Sequence, residues 1–79
     1  MGTKTDPGEF DCYGSAKDDE PIFILRASDE QAPDRVIDWA NDYRAKKMAN
    51  SKWTLRSRAK YDEALGCAKA MRRWLRNNR

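Results

Sequence analysis

Few side chains in this sequence have the type and spacing that catalysis requires. The densest carboxylate cluster is Asp18-Asp19-Glu20, a kind of cluster that holds divalent metal ions in nucleases. Such a site needs its acids on rigid elements, whereas these three lie in a segment with the composition of a tail. The sequence contains no histidine, which excludes catalytic triads and zinc-hydrolase sites. We therefore predict a non-enzymatic protein without a metal or other cofactor.

Three aspartates recur with helical spacing at Asp34, Asp38 and Asp42, and we call them the acidic row. Residues four apart lie on one face of an α-helix, so the three carboxylates project to the same side. Together with Asp29 they lack the spacing of a calcium-binding loop. The row is predicted to be either a solvated face or a surface that docks on a partner, because acidic surfaces can occupy sites built for phosphate.

Apolar residues are spaced for two amphipathic helices. The first begins near Pro33, because proline suits the first helical turn, and ends near Met48. The second covers residues 57–76, and residues 49–56 form a connector of about eight residues, a length longer than the turn of a helix-turn-helix motif. The predicted apolar faces comprise Val36, Ile37, Trp39, Ala40 and Tyr43 on the first helix and Tyr61, Ala64, Leu65, Cys67, Ala68, Met71, Trp74 and Leu75 on the second.

The predicted fold is mainly α, an antiparallel two-helix hairpin in which the helices bury their apolar faces against each other. A chain of 79 residues supports one core, so we predict one domain over residues 21–79 and a flexible N-terminal arm over residues 1–20. Residues 21–25, which we call the apolar segment, are predicted to be extended and packed on the hairpin, with a short β element as an option. Cys12 and Cys67 are predicted to be unpaired.

The three tryptophans are candidates for binding, since tryptophan and arginine are the residues most enriched at interface hot spots. Trp39 and Trp74 lie on the predicted apolar faces and are expected in the core. Trp53 lies in the connector, between Lys52 and Thr54, so it is the tryptophan expected to be partly exposed and available to a partner.

Charge is segregated along the chain. Residues 1–43 contain eleven acidic and four basic residues, a net charge of −7, whereas residues 44–79 contain two and twelve, a net charge of +10. On the second helix the positive charge lies mostly opposite the apolar face. This basic stripe consists of Arg58, Lys69, Arg72, Arg73 and Arg76. It is predicted to be a solvated face, a partner for the acidic row, or a surface that contacts phosphates.

Two parts of the sequence resemble small uncharacterised proteins encoded by bacteriophages and prophages. The first reads EPIFILRA at residues 20–27 and continues through Asp29, Ala32-Pro33, Val36 and Trp39-Ala40. The second is an Ala/Cys-rich closing helix with Ala64, Cys67, Ala68, Met71 and Trp74. The resemblance covers residues 20–43 and 64–75 and implies a shared fold and a phage origin, but it carries no functional site. The basic stretch from Arg44 to Lys60 has no counterpart in it.

Two functional classes follow from these patterns. The first, which the resemblance to phage accessory proteins implies, is a protein that docks through the acidic row or the basic stripe on a host protein complex, for example a CRISPR effector, and inhibits or modulates it. The second is an accessory protein that binds nucleic acid without sequence specificity through the basic stripe. The net charge of +3 favours the first, because the acidic half would repel a duplex. We expect a cytoplasmic location in the host, no membrane partner, and homodimers as an option.

Overall fold

The computed structural model describes all 79 residues and contains two helices, α1 over Ala32–Ala49 and α2 over Leu55–Asn77. The helices run antiparallel, because Asp34 near the start of α1 contacts Arg72 near the end of α2, while Asn41 contacts Tyr61 further along. No strand is present. The predicted mainly helical, antiparallel hairpin is confirmed.

Helix α1 begins and ends close to the predicted positions. Pro33 and Asp34 lie in its first turn, where a missing N–H and a negative charge are both favourable. Its end is formed by Asn50, whose N–H bonds to the Lys46 carbonyl at 3.1 Å. Ser51 then adopts a φ of 55°, a left-handed conformation that turns the chain towards α2.

Helix α2 begins at Leu55 because a capping box forms around Thr54. The Thr54 hydroxyl accepts a hydrogen bond from the Ser57 N–H at 3.2 Å, and the Ser57 hydroxyl accepts one from the Thr54 N–H at 3.3 Å. Ser57 also donates to the Lys52 carbonyl at 2.8 Å. The helix therefore starts two residues earlier than predicted, and the connector has five residues, 50–54, rather than eight.

The core of the hairpin is thin and built from small side chains. Only six of the 79 residues are buried. They are Ala32, Pro33, Ala40, Ser57, Ala64 and Ala68. Alanines at a helix contact let the two backbones approach closely, so the larger apolar side chains lie at the edges of the contact and are only half-buried.

Two of the three tryptophans contradict the sequence-based expectation. Trp39 is 43% exposed and Trp74 is 47% exposed, whereas Trp53 in the connector is half-buried. The prediction that Trp39 and Trp74 belong to the core is wrong. The two rings are exposed because no third layer covers the outer edges of a two-helix contact, so bulky rings beside the alanines stay in water.

The apolar segment forms neither helix nor strand. The optional β element is therefore absent, because no second extended segment offers it backbone hydrogen bonds. Leu25 is half-buried, but Ile22, Phe23 and Ile24 are exposed, and Phe23 reaches 87%. The most apolar stretch of the chain thus leaves most of its surface in solvent.

The N-terminal arm lies against α2. The Met1 ammonium pairs with Glu63 on α2 and with Asp11 of the arm, the latter at 2.6 Å. Gly8 packs directly on this cluster, since a Cβ there would overlap the Glu63 carboxylate and the Met1 nitrogen. Further along the arm, Glu9 lies 3.3 Å from Arg56. These contacts hold residues 1–11 on the hairpin.

Neither α1 nor α2 combines the length and the apolar character that a membrane span requires.

Candidate functional site

The acidic row and the basic stripe meet at one end of the hairpin. Arg72 Nη2 lies 2.7 Å from Asp34 Oδ1, and both side chains are exposed. Asp38 pairs with Arg35 of its own helix at 3.2 Å, whereas Asp42 has no ion pair. Of the acidic row, therefore, only Asp42 presents a carboxylate free of a basic partner.

The basic stripe keeps most of its charge free. Arg58 approaches Asp62 at 4.0 Å, and Arg72 is paired with Asp34. The other three members, Lys69, Arg73 and Arg76, are exposed and have no carboxylate partner. A groove of about 280 Å³ lies at this end of the hairpin. It is lined by Glu30, Pro33, Asp34, Arg72, Leu75, Arg76 and Arg79.

Trp53 is engaged within the fold. Its ring meets that of Tyr61 edge-on, with centroids 5.7 Å apart. The Arg44 guanidinium lies 5.8 Å from the Trp53 ring and 5.6 Å from the Tyr61 ring, both within the range of a cation–π contact. Trp53 thus joins the connector to both helices, and it is less exposed than Trp39 and Trp74.

A cleft of about 410 Å³ at the connector end of the hairpin was not predicted from the sequence. We call it the connector cleft, and it is lined by Phe10, Tyr43, Lys47, Lys52, Thr54, Arg56, Ser57 and Lys60. Four of these eight residues are cations, two are aromatic and none is acidic. The signal in the sequence was the basic stretch from Arg44 to Lys60, to which the charge pattern assigned no role.

Aromatic rings and cations alternate beside the connector cleft. Trp39 and Tyr43 stack with centroids 5.1 Å apart and planes 13° from parallel. The Lys60 ammonium lies 5.6 Å from the Trp39 ring and 5.3 Å from the Tyr43 ring, and Lys47 lies 5.5 Å from Tyr43. On the arm side, Arg56 lies 5.0 Å from the Phe10 ring.

Comparison with known proteins adds no family. The chain matches no family model, no curated protein and no solved structure.

The titratable groups with shifted pKa values lie where the arm meets α2. Burial opposes the charge of the Met1 ammonium, but its hydrogen bonds to Asp11 and Glu63 and their negative charges outweigh burial and raise its pKa above 8.0. The same hydrogen bond lowers the pKa of Asp11 below 3.8. Burial raises the pKa of the Cys67 thiol above 9.0. These shifts belong to arm docking and to the hairpin core.

The groups considered for catalysis do not assemble into a site. No three His, Cys, Asp or Glu side chains come together in a geometry that could hold a metal ion. Asp18, Asp19 and Glu20 are exposed in a turn of the arm. Both cysteines are free thiols, with Cys12 exposed and Cys67 half-buried.

Proposed function

We propose that this chain is a small, non-catalytic protein of bacteriophage type that docks on a host protein complex and inhibits or modulates it. The proposed class of target is a complex that handles nucleic acid in host defence, such as a CRISPR effector, and the proposed location is the host cytoplasm. The phage origin rests on the resemblance at residues 20–43 and 64–75. Docking rests on the surface of the hairpin.

The observation that carries this proposal is the imbalance between buried and exposed apolar residues. Six residues are buried, and most of them are small, while eight large hydrophobic side chains are 43% to 87% exposed. Three of the eight, Ile22, Phe23 and Ile24, are consecutive. Contiguous exposed apolar side chains with charged surroundings are typical of protein interaction sites. The apolar segment is the proposed centre of the docking surface.

Charged residues suit the rim of such a surface. Glu20 and Arg26 flank the apolar segment in the sequence, and the acidic row begins eight residues after Arg26 at Asp34. An apolar centre supplies affinity and a charged rim supplies orientation and selectivity. The acidic row is exposed, and its free carboxylate at Asp42 favours a partner surface that is basic, as the surface of a nucleic-acid-handling complex is.

A second candidate function is binding of nucleic acid without sequence specificity through the basic stripe. It is favoured by one observation, the three exposed cations Lys69, Arg73 and Arg76 that lack a carboxylate partner. Exposed lysines and arginines on one helix supply phosphate contacts but no reading of bases.

The two candidates are tested by affinity purification of the tagged full chain from a bacterial lysate, with and without nuclease. We expect a defined host protein to be retained after nuclease treatment and at high salt, because an apolar interface is not screened. Phe23→Ser should abolish its retention. Leu55→Ser is the matched control, since Leu55 has the same 87% exposure but lies at the connector end.

Recovery of nucleic acid alone, and its loss with nuclease, would contradict docking on a protein, and loss of that nucleic acid in Arg72→Glu would support the basic stripe. If Phe23→Ser and Leu55→Ser reduce the retained host protein equally, the proposal that the apolar segment is the docking centre is contradicted. Asp38→Lys and Arg72→Glu then test the acidic row and the basic stripe in turn.

A further inference from the structure

The connector cleft concentrates four positive charges, of which only Arg56 is paired with a carboxylate. Lys47 comes from the last turn of α1, Lys52 from the connector, and Lys60 from the second turn of α2. None of these three lysines has an ion pair. The fourth cation, Arg56, contacts Glu9 of the arm at 3.3 Å, and both side chains are about 70% exposed. Like charges gathered around one cleft repel one another unless an anion enters.

The start of α2 adds to this positive potential. Its first turn contains no acidic residue and contains Arg56 and Arg58, although a helix N-terminus favours negative charge. The hydroxyls of Thr54 and Ser57 are used by the capping box, which satisfies the Ser57 N–H. The N–H groups of Leu55 and Arg56 have no acceptor within the protein. Free donors and a positive helix end both favour an anion here.

Aromatic surface lies directly beside these cations. Tyr43 lines the connector cleft and stacks on Trp39, whose side chain is 43% exposed. A stacked pair of rings with one ring open to solvent offers a platform for an unpaired base, and nearby lysines reach the phosphates on either side of that base. An acidic peptide would use the cations and leave this platform empty. A duplex keeps its bases stacked within itself.

We propose that the connector cleft binds single-stranded nucleic acid, with backbone phosphates on Lys47, Lys52 and Lys60 and an unpaired base on Trp39. The site is distinct from the basic stripe, because none of the five stripe residues lines the cleft. It is also independent of the proposed docking on a host protein, which uses the apolar segment. Glu9 of the arm occupies, beside Arg56, a position that a phosphate would take.

The site is tested by fluorescence anisotropy of a labelled oligothymidylate of about 12 nucleotides, titrated with the full chain. We expect Lys47→Glu/Lys60→Glu to weaken binding by at least about tenfold and to lower the slope of log affinity against log salt by about 1.4, since two phosphate contacts are lost. Lys69→Glu/Arg73→Glu carries the same charge change on the basic stripe. The affinity of this variant for the oligothymidylate should stay within about threefold of that of the wild type, because charges far from the cleft are screened.

The base contact is tested separately. Trp39→Leu should weaken binding by about tenfold without changing the salt slope, and Trp74→Leu, a tryptophan of similar exposure, should not. If charge reversal unfolds the hairpin, the neutral variant Lys47→Gln/Lys60→Gln replaces it in the phosphate test, and circular dichroism checks that each variant keeps its helices. Four results would overturn the proposal: no binding, equal loss in the stripe variant, equal affinity for a duplex, or equal affinity for inorganic polyphosphate. Each is independent of whether a host protein is captured through the apolar segment.

Discussion

Arg72 on α2 donates a hydrogen bond to Asp34 on α1 at 2.7 Å, which joins the basic stripe to the acidic row. The two residues are 38 positions apart in the chain, and the antiparallel arrangement brings the acidic start of α1 beside the basic end of α2. Part of the charge segregation in the sequence is therefore neutralised within the molecule. Both candidate docking surfaces lose a charge at the same place.

The Arg72–Asp34 pair should contribute little to stability. Its side chains are 49% and 64% exposed, so water and salt screen their attraction. We expect Arg72→Ala to lower the free energy of unfolding by less than about 1 kcal/mol, and Asp34→Ala/Arg72→Ala to show a coupling that disappears at high salt. Urea denaturation at two salt concentrations measures both. Arg73→Ala is the control, because Arg73 has no ion pair in the wild type. A coupling that persists at high salt would contradict the prediction.

Gly66 in α2 should be replaceable with a gain in stability. Gly66 lies inside α2, and a Cβ there would meet nothing within 4 Å. Glycine inside a helix costs about 0.5–1 kcal/mol relative to alanine. We expect Gly66→Ala to raise the free energy of unfolding by that amount in urea denaturation of the isolated chain. A decrease would show that the free chain needs an open surface there.

Gly8 should be required for docking of the arm. Because a Cβ at Gly8 would overlap backbone at Met1 as well as the Glu63 carboxylate, no small shift of a flexible side chain can accommodate it. We expect Gly8→Ala to release the arm and accelerate tryptic cleavage after Lys4. Gly14→Ala is the matched control, since a Cβ at Gly14 meets nothing within 4 Å. Similar cleavage rates for the two variants would refute the role of Gly8.

The three tryptophans should differ in accessibility to a collisional quencher. Single-tryptophan variants that retain Trp39 or Trp74 are expected to be quenched strongly by acrylamide, because these side chains are 43% and 47% exposed. The variant that retains Trp53 should be quenched least, since the ring packs on Tyr61 and lies under Arg44. The Stern–Volmer slopes give the order directly. The reverse order would restore the core positions expected from the sequence.

Docking of the arm should depend on pH at both extremes. In the chain with a free Met1 amine, the pKa of that ammonium is raised when the arm is docked. The ammonium therefore stabilises the docked arm below pH 8.0, and this stabilisation is lost as the pH rises through the raised pKa. The pKa of Asp11 is lowered when the arm is docked. The Asp11 carboxylate therefore stabilises the docked arm above pH 3.8, and this stabilisation is lost as the pH falls through the lowered pKa. Between the two, the arm is docked.

This dependence can be followed by NMR through the amides of Gly2 and Gly8, which donate to Asp11 Oδ2 at 3.3 and 3.0 Å. We expect both signals to shift in an acidic and an alkaline transition. Acetylation of the amine should remove the alkaline transition, and Asp11→Asn the acidic one. Signals that remain constant in the unmodified chain across both ranges would show that the arm is not held by this cluster.

The helices and their pairing were predictable because their signals are local. Apolar residues spaced by threes and fours defined both helices, and Pro33 marked the start of α1 to within one residue. The connector was predicted three residues too long, because the capping box that starts α2 at Leu55 uses Thr54 and Ser57, a pair the apolar pattern does not register.

The two helices and the separation of charge along the chain follow from the sequence alone, since each depends on neighbours within a few turns of helix, and the short connector between two apolar faces favours their antiparallel pairing. Which side chains are buried and which are exposed is set by the packing of the two helices. That outcome depends on how closely the backbones approach at Ala40, Ala64 and Ala68, which leaves Trp39 and Trp74 at the edges. The connector cleft likewise exists only in the fold, because Phe10, Tyr43 and Lys60 come from three distant parts of the chain.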